Sequence, residues 1–357
     1  MSYMGKEGNN NSVSESLVIG ITMGDPAGIG PEVIVKALAD WQLRREAKFI
    51  VFGMHEQFAY AADMAEVDLC WGRHQHEKLG RDYPHRIMVA DYDEYSMPVS
   101  IKGPSRLAGQ ASVRFCIDAV DAARRGIIDA LVTAPISKTS WKLAGVKWPG
   151  HTEMLAARCK SPRKVMMFVA GPIKLALATI HEALFNLRHK FTIGRVFEPI
   201  DLLNTALKEY FGLSNPSIGV AGLNPHAGED GQFGDEERRV IAPAILMAQE
   251  VGINCSGPYP ADTLFLRAAQ GQFDGVVAMY HDQGMIPVKL LAFEDAVNVT
   301  IGIPIIRTSP AHGTAFDIAG NNIANPSSMK AAIKLAMRMA RTKKTYQLTH
   351  NIASRDL

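Results

Sequence analysis

The chain has 357 residues, 47% of them hydrophobic and 21% charged, which suits a soluble globular protein with room for two domains or one large α/β unit. Its 38 Lys and Arg stand against 36 Asp and Glu, and a net charge of +2 argues against a nucleic-acid or membrane-surface partner. The four cysteines (Cys70, Cys116, Cys159, Cys255) are too scattered for a disulfide framework or a thiolate metal site, which points to a reducing cytoplasm.

Residues 1–15 are polar, carry no apolar core like that of a signal peptide, and are expected to be mobile. Short apolar runs then alternate with longer amphipathic ones. The first strand is expected at 16–23, followed by "GDPAGIGPE" and a helix over 30–44. The glycines at 24, 28 and 30 do not fit a dinucleotide fingerprint, and no P-loop lysine is present. The stretch reads either as a close turn between strand and helix or as a site that uses Asp25. Strands are expected at 48–53, 86–92 and 129–135, with a helix over 110–126 that closes on two arginines and Gly126. "TAPISK" follows, where Thr133, Ser137 and Lys138 either hold a phosphate or cap a helix. The run "VMMFVAGPIKLALATI" is broken by Gly171, Pro172 and Lys174, so it predicts a hairpin of two strands rather than a membrane span.

Further strands are expected at 217–223, 275–280 and 297–309, and helices at 198–212, 235–252 and 325–344. The whole is α/β, with a mainly parallel sheet covered by helices on both faces.

Three strand candidates run into a histidine: His181, His226 and His281. Ligands of open α/β sheets bind beyond the carboxyl ends of strands. Three imidazoles from separate segments either serve structural ends singly or converge on one divalent metal, with Asp282 and Glu229 placed to orient a ring or add an oxygen. "PGHTE" puts His151 and Thr152 in a loop, and Lys289, Asn298 and Arg307 are either separate surface groups or an amine, an amide and a guanidinium that together grip an anionic substrate.

At "HGTAFDIAGNNIANP" the sequence resembles the isocitrate and isopropylmalate dehydrogenase superfamily. It is more closely similar to the 4-hydroxythreonine-4-phosphate dehydrogenase family, through "TMGDPAGIGPE", "TAPISK", "PGHTE", "GLNPHAGE", "PADTLF", "AMYHDQG" and "IRTSPAHGTAFDIAG", in order over residues 17–340. The resemblance implies two α/β/α domains with a cleft between them, not a Rossmann fold. It implies a nucleotide-binding domain from 16–130 plus 285–357, and a metal-binding and dimerisation domain over 131–284.

His181, His226 and His281 match the family's ligands for one divalent ion (Zn, Mg or Co). His151, Thr152, Asp262, Lys289, Asn298 and Arg307 match substrate positions. His151, Asp282 and Lys289 are the candidates for moving the proton. His312, Gly313, Thr314, Ala315, Asp317 and Gly320 match the loop that binds the adenosine of NAD. No arginine lies in that loop to meet the extra phosphate of NADP, although NADP stays possible.

The family implies a homodimer with its active site at the subunit interface. It implies metal-dependent oxidation of the C3 hydroxyl of 4-phosphooxy-L-threonine, then decarboxylation, in pyridoxal phosphate biosynthesis. Sister groups act on D-threonate or D-erythronate 4-phosphate. A metal-dependent hydrolase, an acyltransferase and a non-catalytic metabolite-binding protein are the remaining readings.

Overall fold

The protein is described here by a computed structural model covering residues 16–353; the expected mobile segment 1–15 lies outside the described residues. Twelve strands form one sheet: β1 (Leu17–Thr22), β2 (Ala47–Gly53), β3 (Gly72–Gln75), β4 (Ile87–Asp91), β5 (Ala130–Thr133), β6 (Val165–Ala170), β7 (Ile173–Leu177), β8 (Ile218–Ala221), β9 (Cys255–Tyr259), β10 (Gly275–Ala278), β11 (Val297–Ile301) and β12 (Arg307–Pro310). Their order across the sheet is β3-β4-β2-β1-β5-β12-β11-β6-β7-β10-β8-β9. β1, β4, β5, β8 and β10 are buried at every position, which is why their sequences are apolar without alternation.

Two parallel blocks flank a central antiparallel patch. β11 runs antiparallel to both β12 and β6, and β6 antiparallel to β7, so the expected hairpin at 164–180 is present. Three reversals in a row have a consequence that composition does not reveal. The block β7-β10-β8-β9 runs opposite to the block β3-β4-β2-β1-β5-β12.

The single strand expected at 297–309 is two strands. Gly302 turns the chain at φ +86, where an added Cβ would stand 2.8 Å from the Arg163 carbonyl oxygen, and Pro304 follows. Ile303, Ile305 and Ile306 stay buried in the connection, so the apolar run hides the break. The helix expected over 30–44 is likewise two, Gly30–Leu38 and Trp41–Glu46, because Asp40 caps the second by accepting from Gln42 N at 3.0 Å. Edge strands β3 and β9 were not expected; one reads "GRHQ" and the other contains Gly257 and Pro258.

Other helix signals hold. Ser105 caps Arg106–Arg124, which ends before Gly126 at φ +75, and Gly212 closes Ile193–Phe211 in the left-handed conformation. The core divides in two: a large cluster around β1, β2, β4 and β5, and a smaller one between β7, β10 and the helices Ala261–Ala269 and His281–Ala292. No helix among the described residues is long and apolar enough to cross a membrane.

Candidate active site

A cavity of ≈ 530 Å³ lies over one face of the central strands. Side chains of a strand alternate between faces, so residues two apart share one. That rule assembles the floor from Thr133 of β5, Arg307 and Ser309 of β12, Asn298 of β11, and Met166 and Phe168 of β6. One wall comes from the carboxyl ends of β5 and β12, bringing Lys138, His312 and Gly313. The opposite wall comes from the carboxyl ends of β7 and β10, bringing His181, His281 and, two turns into the following helix, Lys289. The start of the helix His151–Cys159 adds His151, Thr152 and Glu153. The opposed blocks therefore both deliver carboxyl-end loops to a single cleft.

Arg307 is the dominant group on the floor. It is 3% exposed, and Nε and Nη2 donate to Thr133 Oγ1 at 3.1 and 2.6 Å while Nη1 donates to Thr300 Oγ1 at 3.1 Å. No carboxylate among the described residues pairs with it, and burial pulls its pKa down to about 10. A buried cation without a counter-charge, open to a cavity, is a site for an anion. Nearby, His151 Nε2 and Asn298 Oδ1 are buried with no hydrogen-bond partner. Burial, and then the charge of Arg307, holds His151 far below the usual histidine range, so the ring is neutral and Trp141 packs edge-on to it at 5.7 Å.

At the other end the rings of His181 and His281 lie 6.0 Å apart, centroid to centroid. Burial, with help from Lys138 and His281, lowers the pKa of His181 and favours the neutral, ligating form. His281 Nδ1 lies 2.6 Å from Asp282 Oδ1, which fixes one ring nitrogen and leaves Nε2 free. Asp282 thus acts on His281 and does not itself line the cavity.

His226 and Asp262 do not join this group. They lie beyond β8 and β9, on a left-handed turn and at the start of the helix Ala261–Ala269, and both are exposed. Among the described residues no group of three or more His, Cys, Asp or Glu stands close enough to hold a metal. Of the 312–320 loop, only His312 and Gly313 reach the cavity. Thr314, Ala315, Asp317 and Gly320 do not line it: Thr314 O accepts from Ile29 N at 3.0 Å, which packs the loop on the first glycine stretch, and Gly320 lies beside Lys102. Asp25 is a fastening. Fully buried, it accepts from Ser140 Oγ at 2.7 Å and Ala27 N at 3.0 Å, while Ser137 caps the helix Lys138–Leu143.

Sequence reasoning passed over Glu153 and Thr300. Thr300 follows Asn298 by two on β11, and that shared face was the available signal.

A polar cleft built on a buried arginine, with two imidazoles at one end, defines an α/β enzyme for a small anionic substrate. The chain belongs to the PdxA family: the model described as pyridoxal phosphate biosynthetic protein PdxA matches residues 45–336. It is 45% identical over 327 residues to a 4-hydroxythreonine-4-phosphate dehydrogenase of Desulforapulum autotrophicum, covering 90% of this chain and 95% of that one. It is 42% identical over 328 residues to a D-threonate 4-phosphate dehydrogenase of Salmonella typhimurium, covering 91% and 100%. A crystal structure of 4-hydroxythreonine-4-phosphate dehydrogenase from Klebsiella pneumoniae superposes with a TM-score of 0.82 at 38% identity, covering 91% of this chain and all of that one. The family expected from the motifs is the family found, and its named relatives are dehydrogenases.

Proposed function

We propose that this dehydrogenase oxidises the C3 hydroxyl of 4-phosphooxy-L-threonine with NAD and decarboxylates the product to 3-amino-2-oxopropyl phosphate, in pyridoxal phosphate biosynthesis. The observation that carries the reading is Arg307, a buried cation with no counter-charge on the floor of the cleft. Its unused N–H groups meet the phosphate, and Thr152, Lys289 and Asn298 hold the rest of the substrate so that C3 faces the nicotinamide. The nucleotide lies along 312–320, with NADP as the variant to test. His151, neutral and half-buried, orients the substrate through Nε2; Lys289, which lines the cleft, is the other candidate for moving the hydroxyl proton, and Asp282 acts through His281.

The histidine pair fits a divalent ion (Zn, Mg or Co): two imidazoles face each other, one neutral by burial and the other braced by a carboxylate. When bound, such an ion supplies Lewis-acid stabilisation of charge on the C3 oxygen. The pair is two of three ligands. His226 supplies the third, and Asp262 completes the substrate site, from a second copy in a homodimer. That reading has apolar support: Leu266, Ile286, Leu290 and Phe293, on the helices Ala261–Ala269 and His281–Ala292 and just past the latter, are all exposed. Within each copy, residues 16–130 and 285–357 form the nucleotide-binding part, and residues 131–284 the metal-binding and dimerisation part.

The 42% identity to a D-threonate 4-phosphate dehydrogenase supports a second reading, D-threonate or D-erythronate 4-phosphate as substrate. Turnover of the three phosphorylated acids and of unphosphorylated 4-hydroxythreonine, each with NAD, decides between them. The proposal expects the highest kcat/KM with 4-phosphooxy-L-threonine and none without the phosphate. Preference for an acid lacking the amine selects the second reading.

A further inference from the structure

The loop after β8 is held in a conformation its residues avoid. His226, Ala227, Gly228, Glu229 and Asp230 have φ of 53, 54, 82, 42 and 54, so five successive residues wind left-handed. Residues with a Cβ visit that region singly, not in runs. Such a segment persists only where its surroundings over-determine it.

The surroundings centre on one carboxylate. Glu237 is 6% exposed and opens the π-helical turn Glu237–Ile241. Its Oε1 accepts from Leu223 N at 2.8 Å and Asn224 N at 2.7 Å, and its Oε2 from Asn224 Nδ2 at 2.9 Å. Asn224 O in turn accepts from Ala227 N at 3.1 Å. The fit is close: a Cβ on Gly228 would stand 2.8 Å from Glu237 Oε2, and one on Gly222 2.8 Å from Ala227 Cα. Gln283 ties this loop to the helix that begins at His281. It donates to Gly222 O at 2.7 Å and accepts from Met279 N at 2.7 Å. The inner side of the turn is thereby filled, and His226 is left on the exposed side.

We propose that Glu237 is a positioning residue for His226: its carboxylate locks the left-handed turn and presets the imidazole, facing outward, as a ligand to a divalent ion shared with a second copy. The proposal rests on the reading of His226 as a metal ligand given above. Glu237→Gln keeps one acceptor but sets an amide N–H₂ against the Asn224 N–H₂. Gly228→Ala leaves the carboxylate in place and pushes on it. Full-length, metal-stripped protein is titrated with Co²⁺ and followed by the visible absorption of the bound ion. Urea melts report folding, and amide exchange reports the order of 222–234.

Both variants are expected to unfold cooperatively, to exchange faster only in that loop, and to bind Co²⁺ roughly 10- to 100-fold more weakly with an altered spectrum, as for other groups that orient a ligand. If Glu237→Gln does not fold, Gly228→Ala carries the decision. Unchanged affinity and spectrum in the folded variants, while His226→Ala loses the ion, overturns the positioning role alone. Full Co²⁺ binding by His226→Ala removes the ligand reading and the proposal with it.

Discussion

Replacing Arg307 with methionine separates what the residue does for substrate from what it does for the fold. A guanidinium has five N–H donors. Thr133 takes two and Thr300 one, leaving two for the cavity among the described residues. Each charge-assisted hydrogen bond to a phosphate contributes about 1.5–3 kcal/mol. Losing both weakens substrate binding by about 3–6 kcal/mol, on the order of 10²- to 10⁴-fold.

Stability should behave differently. Burial depresses the arginine pKa to about 10, a cost of about 3 kcal/mol to the charged form. Methionine removes that cost and strands the two threonine hydroxyls, a loss of about 1–3 kcal/mol each. The unfolding free energy should therefore change by no more than about 3 kcal/mol. Titration calorimetry with substrate and urea melts read the two quantities, and NAD affinity should persist. A variant that binds substrate as the parent does, or one that loses more than about 4 kcal/mol of stability, as when half of a buried ion pair is removed, would refute the argument.

His151 makes the fold pH-sensitive. Its folded pKa is depressed by burial and Arg307, so below the unfolded value of about 6.5 only the unfolded chain takes the proton. Stability should fall as pH drops below about 6.5, by up to about 1.4 kcal/mol per pH unit from this group, and His151→Asn should flatten that slope in urea melts at pH 5 to 7. Asp282→Asn should lower divalent-ion affinity roughly 10- to 100-fold in chelator competition, through looser orientation of His281; an unchanged constant would detach the carboxylate from that role. Asp25→Ala should cost about 1–3 kcal/mol in stability with substrate affinity nearly unaltered, since its partners are Ala27 N and Ser140 Oγ; a large rise in KM at unchanged stability would place it in the binding machinery instead.

The strands buried on both faces were legible because burial on both faces makes a continuous apolar run. Where one apolar run served two strands, β11 and β12, nothing in hydropathy marked the reversal at Gly302. β3 and β9 lie at the sheet edges, where polar residues, glycine and proline are tolerated. His151, Thr152, Lys289, Asn298 and Arg307 were each visible as polar groups at element ends or in apolar surroundings, and the fold gathers them at one cleft. The opposed direction of the two blocks was not visible, because it follows from three successive pairings and not from any local pattern. Nor was the outward turn of His226 visible, since a left-handed run through His, Ala, Glu and Asp is set by Glu237 and Asn224 rather than by propensity.

The most direct test of the central claim is a single-turnover experiment with the full chain, NAD⁺, a divalent ion and 4-phosphooxy-L-threonine labelled in its carboxyl group. Reduced nicotinamide and labelled carbon dioxide should form in equal amounts, both abolished by a chelator. Carbon dioxide without reduced nicotinamide, or neither product from this substrate and from both phosphorylated sugar acids, would contradict the claim.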